Sequence, residues 1–458
     1  MIRHLDGLQS TSRQKFAKTT ATRPRRWRKV LFWLGVLVVG TLTVAGVWAQ
    51  PILAALPMNV TDKLALARLA KPGVYLVLFQ NQRELRPTGG FLGSFAEVEM
   101  GWGGHIKSIQ VETNIYNRDK IYAADLAREA PEPIREFLGD QPWGMRDSNW
   151  ALDFPEAAQM VAWFYAHEGG RPVDGVIALD ARLLARLLSL TGPITLADQT
   201  FTAETVVDQL MVEIEKNYWT YATHVAENQP KAILADLVPA LLANMRRLDQ
   251  RSLVNEAVVA FREKEVLAYF KDPALAQAML AADWDGRVLA NNSDYLMINE
   301  ANLTPVDGRA RAVGAKSSWS IDRSVSLVRD SAPRGGSHHT LSMTREHIGQ
   351  AVWPDGPNHS YLRIAVPAGA TLLAATSNGE DISSRVRFSV ESGKTVFGLW
   401  SKLDPGQKED LTITYTVPTK ATEPILVQRQ PGAPAFSLDI WDSGKLRWQG
   451  LLEGDQTL

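Results

Sequence analysis

VYLVLFQNQRELRPTGGFLGSF, Val74 to Phe95, holds the reading of the fold. Val74 to Phe79 is a continuous apolar run, as a strand buried on both faces requires. Asn81 to Gly90 follows as a polar loop. Phe91 to Met100 and His105 to Thr113 are then strand-like, with Gly101-Trp102-Gly103-Gly104 as the turn of a hairpin. DFPEAAQMVAWFYAHEGG has Asp153 and Glu156 at capping-box spacing, Pro155 in the first turn and a stop at Gly169-Gly170, so it reads as a helix. Val173 to Leu179 is a strand. Asp180 caps a helix whose apolar face is Leu183, Leu184, Leu187 and Leu188, and Ile194 to Leu196 resumes as a strand after Thr191-Gly192-Pro193. Strand, helix and strand in that order predict a βαβ unit and a mixed sheet with flanking helices.

From Thr202 to about Ala282 the pattern is helical, in VVDQLMVEIEKNYW, KAILADLVPALLANMRRL and SLVNEAVVAFREKEVLAYF. Beyond Asn291-Asn292 the composition changes to short β-branched runs between Gly/Pro/Asn turns: YLMINEANL, SWSIDRSVSLV, HHTLSMTR, SYLRIAV, RVRFSV, TVFGLW and DLTITYTV. This spacing predicts an all-β, sandwich-like domain, with FSLDIW and KLRWQGLL as a final hairpin. The expected fold class is α/β followed by that β domain. The expected boundaries are an α/β domain with a helical insertion over 72–301, a sandwich over 302–420 and a hairpin tail over 421–458.

The formal net charge of -1 hides a strong asymmetry. Residues 1–29 carry nine Lys/Arg and one acid, a net of +8, and the remainder is -9. No charged residue lies between Lys29 and Asp62. Val30 to Trp48 reaches the ~20 apolar residues that a helix needs to cross a bilayer, and Trp27, Trp33 and Trp48 lie towards its ends. The expected order is a basic cytoplasmic tail (1–29), one transmembrane helix (30–49), a juxtamembrane linker (50–71) and an extracytoplasmic body. A cleaved signal peptide is the alternative, disfavoured by the length of the apolar run. The acidic body argues against a nucleic-acid partner. Zero Cys excludes disulfide scaffolds, thiol catalysis and Cys-ligated metals.

Three segments can carry chemistry. Arg83, Arg86, Thr88, Gly89 and Gly90 lie in the polar segment after the first strand, where arginines donate bidentately and glycines let backbone N–H approach an anion. No GK[ST] ending is present, so a nucleoside triphosphate loop is not supported. Arg118 and Asp119 follow the third strand, and Arg146, Asp147 and Asn149 precede the capped helix. Asp119, Asp147 and Asp153 offer oxygens to Mg²⁺, with the arginines on phosphate. The plainer alternatives are ion pairs of the arginines with Glu84 or other carboxylates, and helix capping for Asp153. His338, His339, His347 and His359 show no recurring ligand spacing. A G-x-S-x-G elbow is missing. Trp102, Trp143 and Trp150 are either sugar platforms or core.

VYLVLFQNQRELRPTGGFLGSF, MRDSNWALDFPEAAQMVAWFY and VDGVIALDARLLARLLSLTGPI resemble an uncharacterised bacterial membrane-anchored family, the domain of unknown function numbered four thousand and twelve. More remotely, the order of elements is similar to the LytR–CpsA–Psr envelope proteins, which move glycopolymers from polyprenyl-pyrophosphate carriers to the cell wall. That resemblance implies a LytR–CpsA–Psr-like α/β fold, with Arg86 and the Arg118-Asp119 pair at the pyrophosphate and Mg²⁺. Lys231 stands where the family has a later arginine cluster, a departure from its pattern. The function so implied is an envelope protein that binds or transfers a lipid-linked saccharide or cell-wall polymer, as a Mg-dependent phosphotransferase if it is an enzyme. The alternative is a non-catalytic envelope scaffold or binding protein. A glycan hydrolase with two carboxylates is a third reading.

Overall fold

The computed structural model describes residues 71–102, 106–112, 115–126, 128–215, 217, 233–245, 247–290, 293–304, 316–332 and 335–458. The basic tail, the apolar run and the linker up to residue 70 lie outside the described residues, as does Lys231. Among the described residues no helix is long and apolar enough to cross a membrane.

The first module is built on β1 (Gly73–Arg86), β2 (Gly89–Met100), β3 (Ile106–Glu112), α1 (Ile115–Leu126), α2 (Glu132–Leu138), a 3-10 turn at Met145–Asp147, α3 (Phe154–His167), β4 (Gly175–Asp180) and α4 (Arg182–Thr191). It continues through β5 (Ile194–Leu196), β6 (Gln199–Phe201), α5 (Val206–Glu215), α6 (Leu234–Met245), α7 (Gln250–Arg262), β7 (Val266–Phe270) and α8 (Pro273–Ala282). The central sheet has the order β3-β2-β1-β4-β7, with β1 and β4 parallel and the other neighbours antiparallel. Helices cover both of its faces, which explains the unbroken apolar run. Leu76 and Leu78 point into a core with Val161 and Phe164 of α3. Tyr75 and Val77 point the other way, among Val258, Phe261 and Met279 of α7 and α8. The α3 helix starts as its sequence predicts, with Asp153 accepting from the Glu156 N–H at 3.1 Å.

Three expectations change. The polar segment after Phe79 is not a loop: β1 runs on to Arg86, and only Pro87 and Thr88 turn before β2. Ile194–Leu196 does not return to the central sheet, since it pairs with Gln199–Phe201 in a separate two-stranded hairpin. The strand beside β4 is β7, from the end of the expected third helix. Helix α7 stops where Lys264 adopts a left-handed φ of 58°, and the Val-Leu-Ala-Tyr-Phe that follows has strand composition.

The second module contains β8 (Asp294–Asn302), β9 (Ile321–Ser331), β10 (Ser337–His347), β11 (Asn358–Val366), β12 (Thr371–Ser377), β13 (Glu380–Asp381), β14 (Arg387–Glu391), β15 (Lys394–Leu403), β16 (Lys408–Val417), β17 (Ile425–Val427), β18 (Phe436–Asp442), β19 (Lys445–Leu452) and β20 (Gln456–Thr457). They form a seven-stranded sheet, β13-β12-β16-β10-β9-β18-β19, and a six-stranded sheet, β14-β15-β11-β8-β17-β20. A single apolar core includes residues of both, among them Leu362, Phe397, Ile413 and Leu438. Strand β8, placed by its sequence before the sandwich boundary, is hydrogen-bonded to β11 and β17 within it. The final hairpin is not a separate tail, because β18 pairs in parallel with β9.

At the β1–β2 turn a Cβ on Gly90 would lie 2.3 Å from the backbone of Asn81. Backbone, unlike a flexible side chain, cannot swing aside. Gly90→Ala should therefore cost about 1–3 kcal/mol, read as a lower urea midpoint with an unchanged m-value.

Candidate functional site

The end of β1 and the turn after it are enclosed by the rest of the chain. Arg86 is 1% exposed. Its guanidinium donates to Asp147 Oδ1 and Glu84 Oε1, both at 3.1 Å, and to the carbonyls of Asn302 at 2.6 Å and Leu85 at 3.1 Å. Its guanidinium carbon lies 5.1 Å from the ring centre of Phe91 and 5.9 Å from that of Phe137. Burial works against its charge, but Glu84 and Asp147 outweigh this and hold the proton more firmly than usual. Around it, Gln430 donates to the Arg86 carbonyl at 3.0 Å, Asn299 to that of Pro87 at 2.9 Å and Asn149 to that of Gly90 at 2.9 Å.

From Arg86 a line of alternating charge extends in both directions. Lys316 Nζ faces Glu84 at 3.5 Å. On the other side Asp147 Oδ2 faces Arg146 Nε at 3.2 Å, and Arg146 reaches Asp119 Oδ2 at 3.0 Å. Asp119 also accepts from the Met145 N–H at 2.9 Å. This needs Gly144, whose Cβ would lie 2.5 Å from the Asp119 carboxyl carbon. Glu168, fully buried at the end of α3, completes the line: it accepts from the Met145 N–H at 3.2 Å and hydrogen-bonds Asp119. Burial and the neighbouring Asp119 push Glu168 up to about 8. Burial, opposed by Arg146 and assisted by Asp147, also raises Asp119. The two carboxyls therefore share one proton near neutral pH.

The structure thus brings Arg86, Asp119, Arg146 and Asp147 together. Arg118 lies alongside, its guanidinium spent on the Glu168 carbonyl at 2.6 Å and packed between Phe95 and Tyr165. Arg83 points elsewhere, paired with Asp208 and stacked on Trp319. Thr88 and Asn149 are buried at the turn, and Gly89 and Gly90 serve close backbone packing rather than an anion cradle. The carboxylates do not fit Mg²⁺. Asp119 is taken by N–H donors and Arg146, Asp147 faces two arginines, and Asp153 accepts from the Glu156 and Val288 N–H groups. Among the described residues no group of three or more His, Cys, Asp or Glu is placed to hold a metal. His347 illustrates why, since its ring nitrogens meet the Gly356 carbonyl and the Gly349 N–H. Trp143 is core, Trp150 packs on Arg363, and Trp102 is exposed.

The sequence reading offered Glu84 as an ion-pair partner of the arginines after the first strand, and the structure pairs it with Arg86; it missed Glu168, Lys316 and Gln430. One signal for Glu168 was present, because an acid in the last turn of a helix opposes the helix dipole and needs another reason to be there.

Residues 71–214 match DUF4012, a protein family of unknown function. The DUF4012 segment spans β1 to α5, and with it every residue of the charge line except Lys316. No curated protein matches the chain. Among solved structures, a putative nutrient-binding protein of Legionella pneumophila aligns at 8% identity over 27% of this chain and 51% of its own, with a TM-score of 0.20. An M1 zinc metallopeptidase of Deinococcus radiodurans aligns at 15% identity over 28% and 32%, with a TM-score of 0.17. Leukotriene A4 hydrolase of Saccharomyces cerevisiae aligns at 9% identity over 32% and 29%, with a TM-score of 0.16. The chain spans about half or less of these structures, and likenesses this small carry nothing further. Neither the DUF4012 match nor these structures shows a LytR–CpsA–Psr likeness.

Two outcomes follow from the DUF4012 segment's charge line. Arg86→Met takes from the buried Asp147 one of its two guanidinium partners and from Glu84 its buried one, and should destabilise the fold by about 3–5 kcal/mol, measured by urea denaturation. Glu168 has a folded pKa above its unfolded value, so the native state holds the extra proton. Its stabilisation is full below the ordinary carboxylate pKa and is lost as pH rises towards about 8. Glu168→Gln should flatten that decline in unfolding free energy between pH 5 and pH 8.5. An unchanged slope would show that Glu168 is ionised in the native state.

Proposed function

We propose that the chain is a membrane-anchored extracytoplasmic envelope protein that acts as a non-catalytic scaffold or binding protein. The observation that carries this is the state of Arg86. It is buried, and its charge is matched by Asp147 and Glu84 of its own chain. A guanidinium held in this way has no spare charge with which to stabilise a developing pyrophosphate. Arg146 and Arg118 are likewise engaged, by Asp119 and by the Glu168 carbonyl.

The convergence of Arg86, Arg146, Asp147 and Asp119 is what a glycopolymer transferase would need, and it keeps that second reading testable. For transfer, the charge line would have to open and exchange its internal carboxylates for phosphate. Breaking such buried pairs costs several kcal/mol, which the ligand would have to replace.

The test uses the full chain in detergent or vesicles with a polyprenyl-pyrophosphate saccharide, with and without Mg²⁺. The scaffold reading expects neither turnover nor saturable binding through these arginines, and saccharide transfer by the unsubstituted protein would overturn it. Topology has its own measurement, since the chain has no cysteine. A thiol at Val390→Cys, 79% exposed, should react with an impermeant maleimide in intact cells. One at Ser10→Cys should react only after lysis.

A further inference from the structure

The terminal strands of the two sandwich sheets are β13, β19, β14 and β20. Of these, β13 and β20 have two residues each, and β19 carries Lys445 and Arg447 but no acid. The β14 strand, Arg-Phe-Ser-Val-Glu from Arg387 to Glu391, is different. It pairs with β15 on one side, and among the described residues no strand lies on the other. It has no Pro, Lys or bulge, the usual protections of an open edge. Phe388 is 59% exposed and Val390 79%. Phe388 stands opposite Phe397 of β15, ring centres 5.5 Å apart, so both apolar side chains lie on the face of the sheet that bears the sandwich core. Arg387, Ser389 and Glu391 lie on the other face. There Arg387 donates to Glu136 of α2 at 3.1 Å, and Glu391 accepts from Arg363 at 2.7 Å.

The complement of this edge is an antiparallel strand of the same sequence. Two copies related by a two-fold axis normal to the sheet must pair residues that point to the same face, so the axis passes through a residue. With the axis at Ser389, Arg387 faces Glu391 of the second copy and Phe388 faces its Val390, and every residue of the strand is matched. An axis at Arg387 or at Glu391 sets like charges opposite each other, and one at Phe388 or at Val390 leaves Arg387 or Glu391 opposite Ser389. Parallel pairing in register sets Arg387 beside Arg387. Aromatic with β-branched pairs and opposite charges are the favourable cross-strand neighbours, and like charges are not. Across the join the order Glu136, Arg387, then Glu391 and Arg363 of the second copy alternates in sign. We propose that β14 is a homodimer edge, joining two copies of this chain in an antiparallel register centred on Ser389 and merging their six-stranded sheets into one. This requires neither the anchor nor the scaffold reading. Five residues a side make a weak contact, promoted by concentration. Val390 is screened by Phe388 of the second copy only while paired, so a thiol there still meets reagent as the copies exchange.

The test uses the full chain, concentrated in detergent, with single cysteines introduced into a sequence that has none. Ser389→Cys places two thiols directly opposite each other, within the separation that a disulfide spans. Leu446→Cys, 47% exposed on β19, reports chance collision. The expected result is that mild oxidant converts Ser389→Cys to a covalent dimer several-fold faster than Leu446→Cys. Adding Val390→Lys, a change at an exposed position, should lower the rate at 389 to that at 446. Equal rates for the two single thiols overturn the proposal. A fast reaction at 389 that Val390→Lys leaves unchanged overturns the register, and the pairing with it.

Discussion

The burial of one guanidinium, that of Arg86, sets the terms for much of this molecule. Removing a cation from water costs several kcal/mol even after relaxation, so it is found only where carboxylates and carbonyls surround it. Here they come from four places: Glu84 on the same strand, Asp147 from the turn before α3, Leu85 beside it and Asn302 from the sandwich. Each of the two carboxylates is itself held by a further cation. The order Lys316, Glu84, Arg86, Asp147, Arg146, Asp119 alternates in sign, and the protonated carboxyl shared with Glu168 closes it without adding a negative charge. The turn at Gly144 and the end of α3 are positioned by that closure.

A second ionic group lies inside the sandwich. Burial would raise Glu300, but Arg345 and Arg323 outweigh it and hold the carboxylate below its usual range, with Ser360 donating at 2.9 Å. Arg323 and Arg345 stand on one sheet, and Glu300 and Ser360 on the other. A single side chain joins this group to the first, for Gln430 donates to the carbonyls of both Arg86 and Glu300 and accepts from the Glu300 N–H. The two modules are therefore coupled through buried polar groups as well as through apolar contacts such as Leu303 and Tyr361 in the core of the first module. Relative movement would leave buried donors and charges unmatched in addition to breaking those apolar contacts.

What was legible in the sequence follows the range of the interactions. Val74 to Phe79 reads as a two-faced strand because helices pack on both sides, and the sandwich strands read correctly where residues alternate, as in Ile321 to Arg329. Asp153 was legible because a helix cap is settled within four residues. Asn81 to Arg86 looked like a loop because polar residues are ordinarily solvated. They form a strand here because Asn302, Ser318 and Gln430, more than 200 residues away, supply partners to Leu85 and Arg86. The grouping of arginines and aspartates was visible as composition. Pairing of the arginines with carboxylates was open as an alternative, but their joining into one buried line was not visible, since it depends on Glu168 and Lys316, whose places only the packing reveals. Strand β7 was hidden for another reason: Val266 to Phe270 continues the apolar spacing of α7, and only the backbone reversal at Lys264 separates them.

In open α/β sheets, ligands commonly meet the carboxyl ends of the parallel strands. Here the parallel pair is β1 and β4, and its carboxyl end is occupied by the chain itself. Gln82 on β1 accepts from the Ala181 N–H at the end of β4, and the segment holding Arg429, Gln430 and Gly432 closes over the turn at Gly89. The sandwich thus takes the position that a substrate would hold in a simpler sheet. An arrangement of this kind exchanges a ligand site for a fixed joint. The outer strands β14 and β19 of the sandwich, which take no part in this joint, keep Phe388, Val390 and Leu446 exposed.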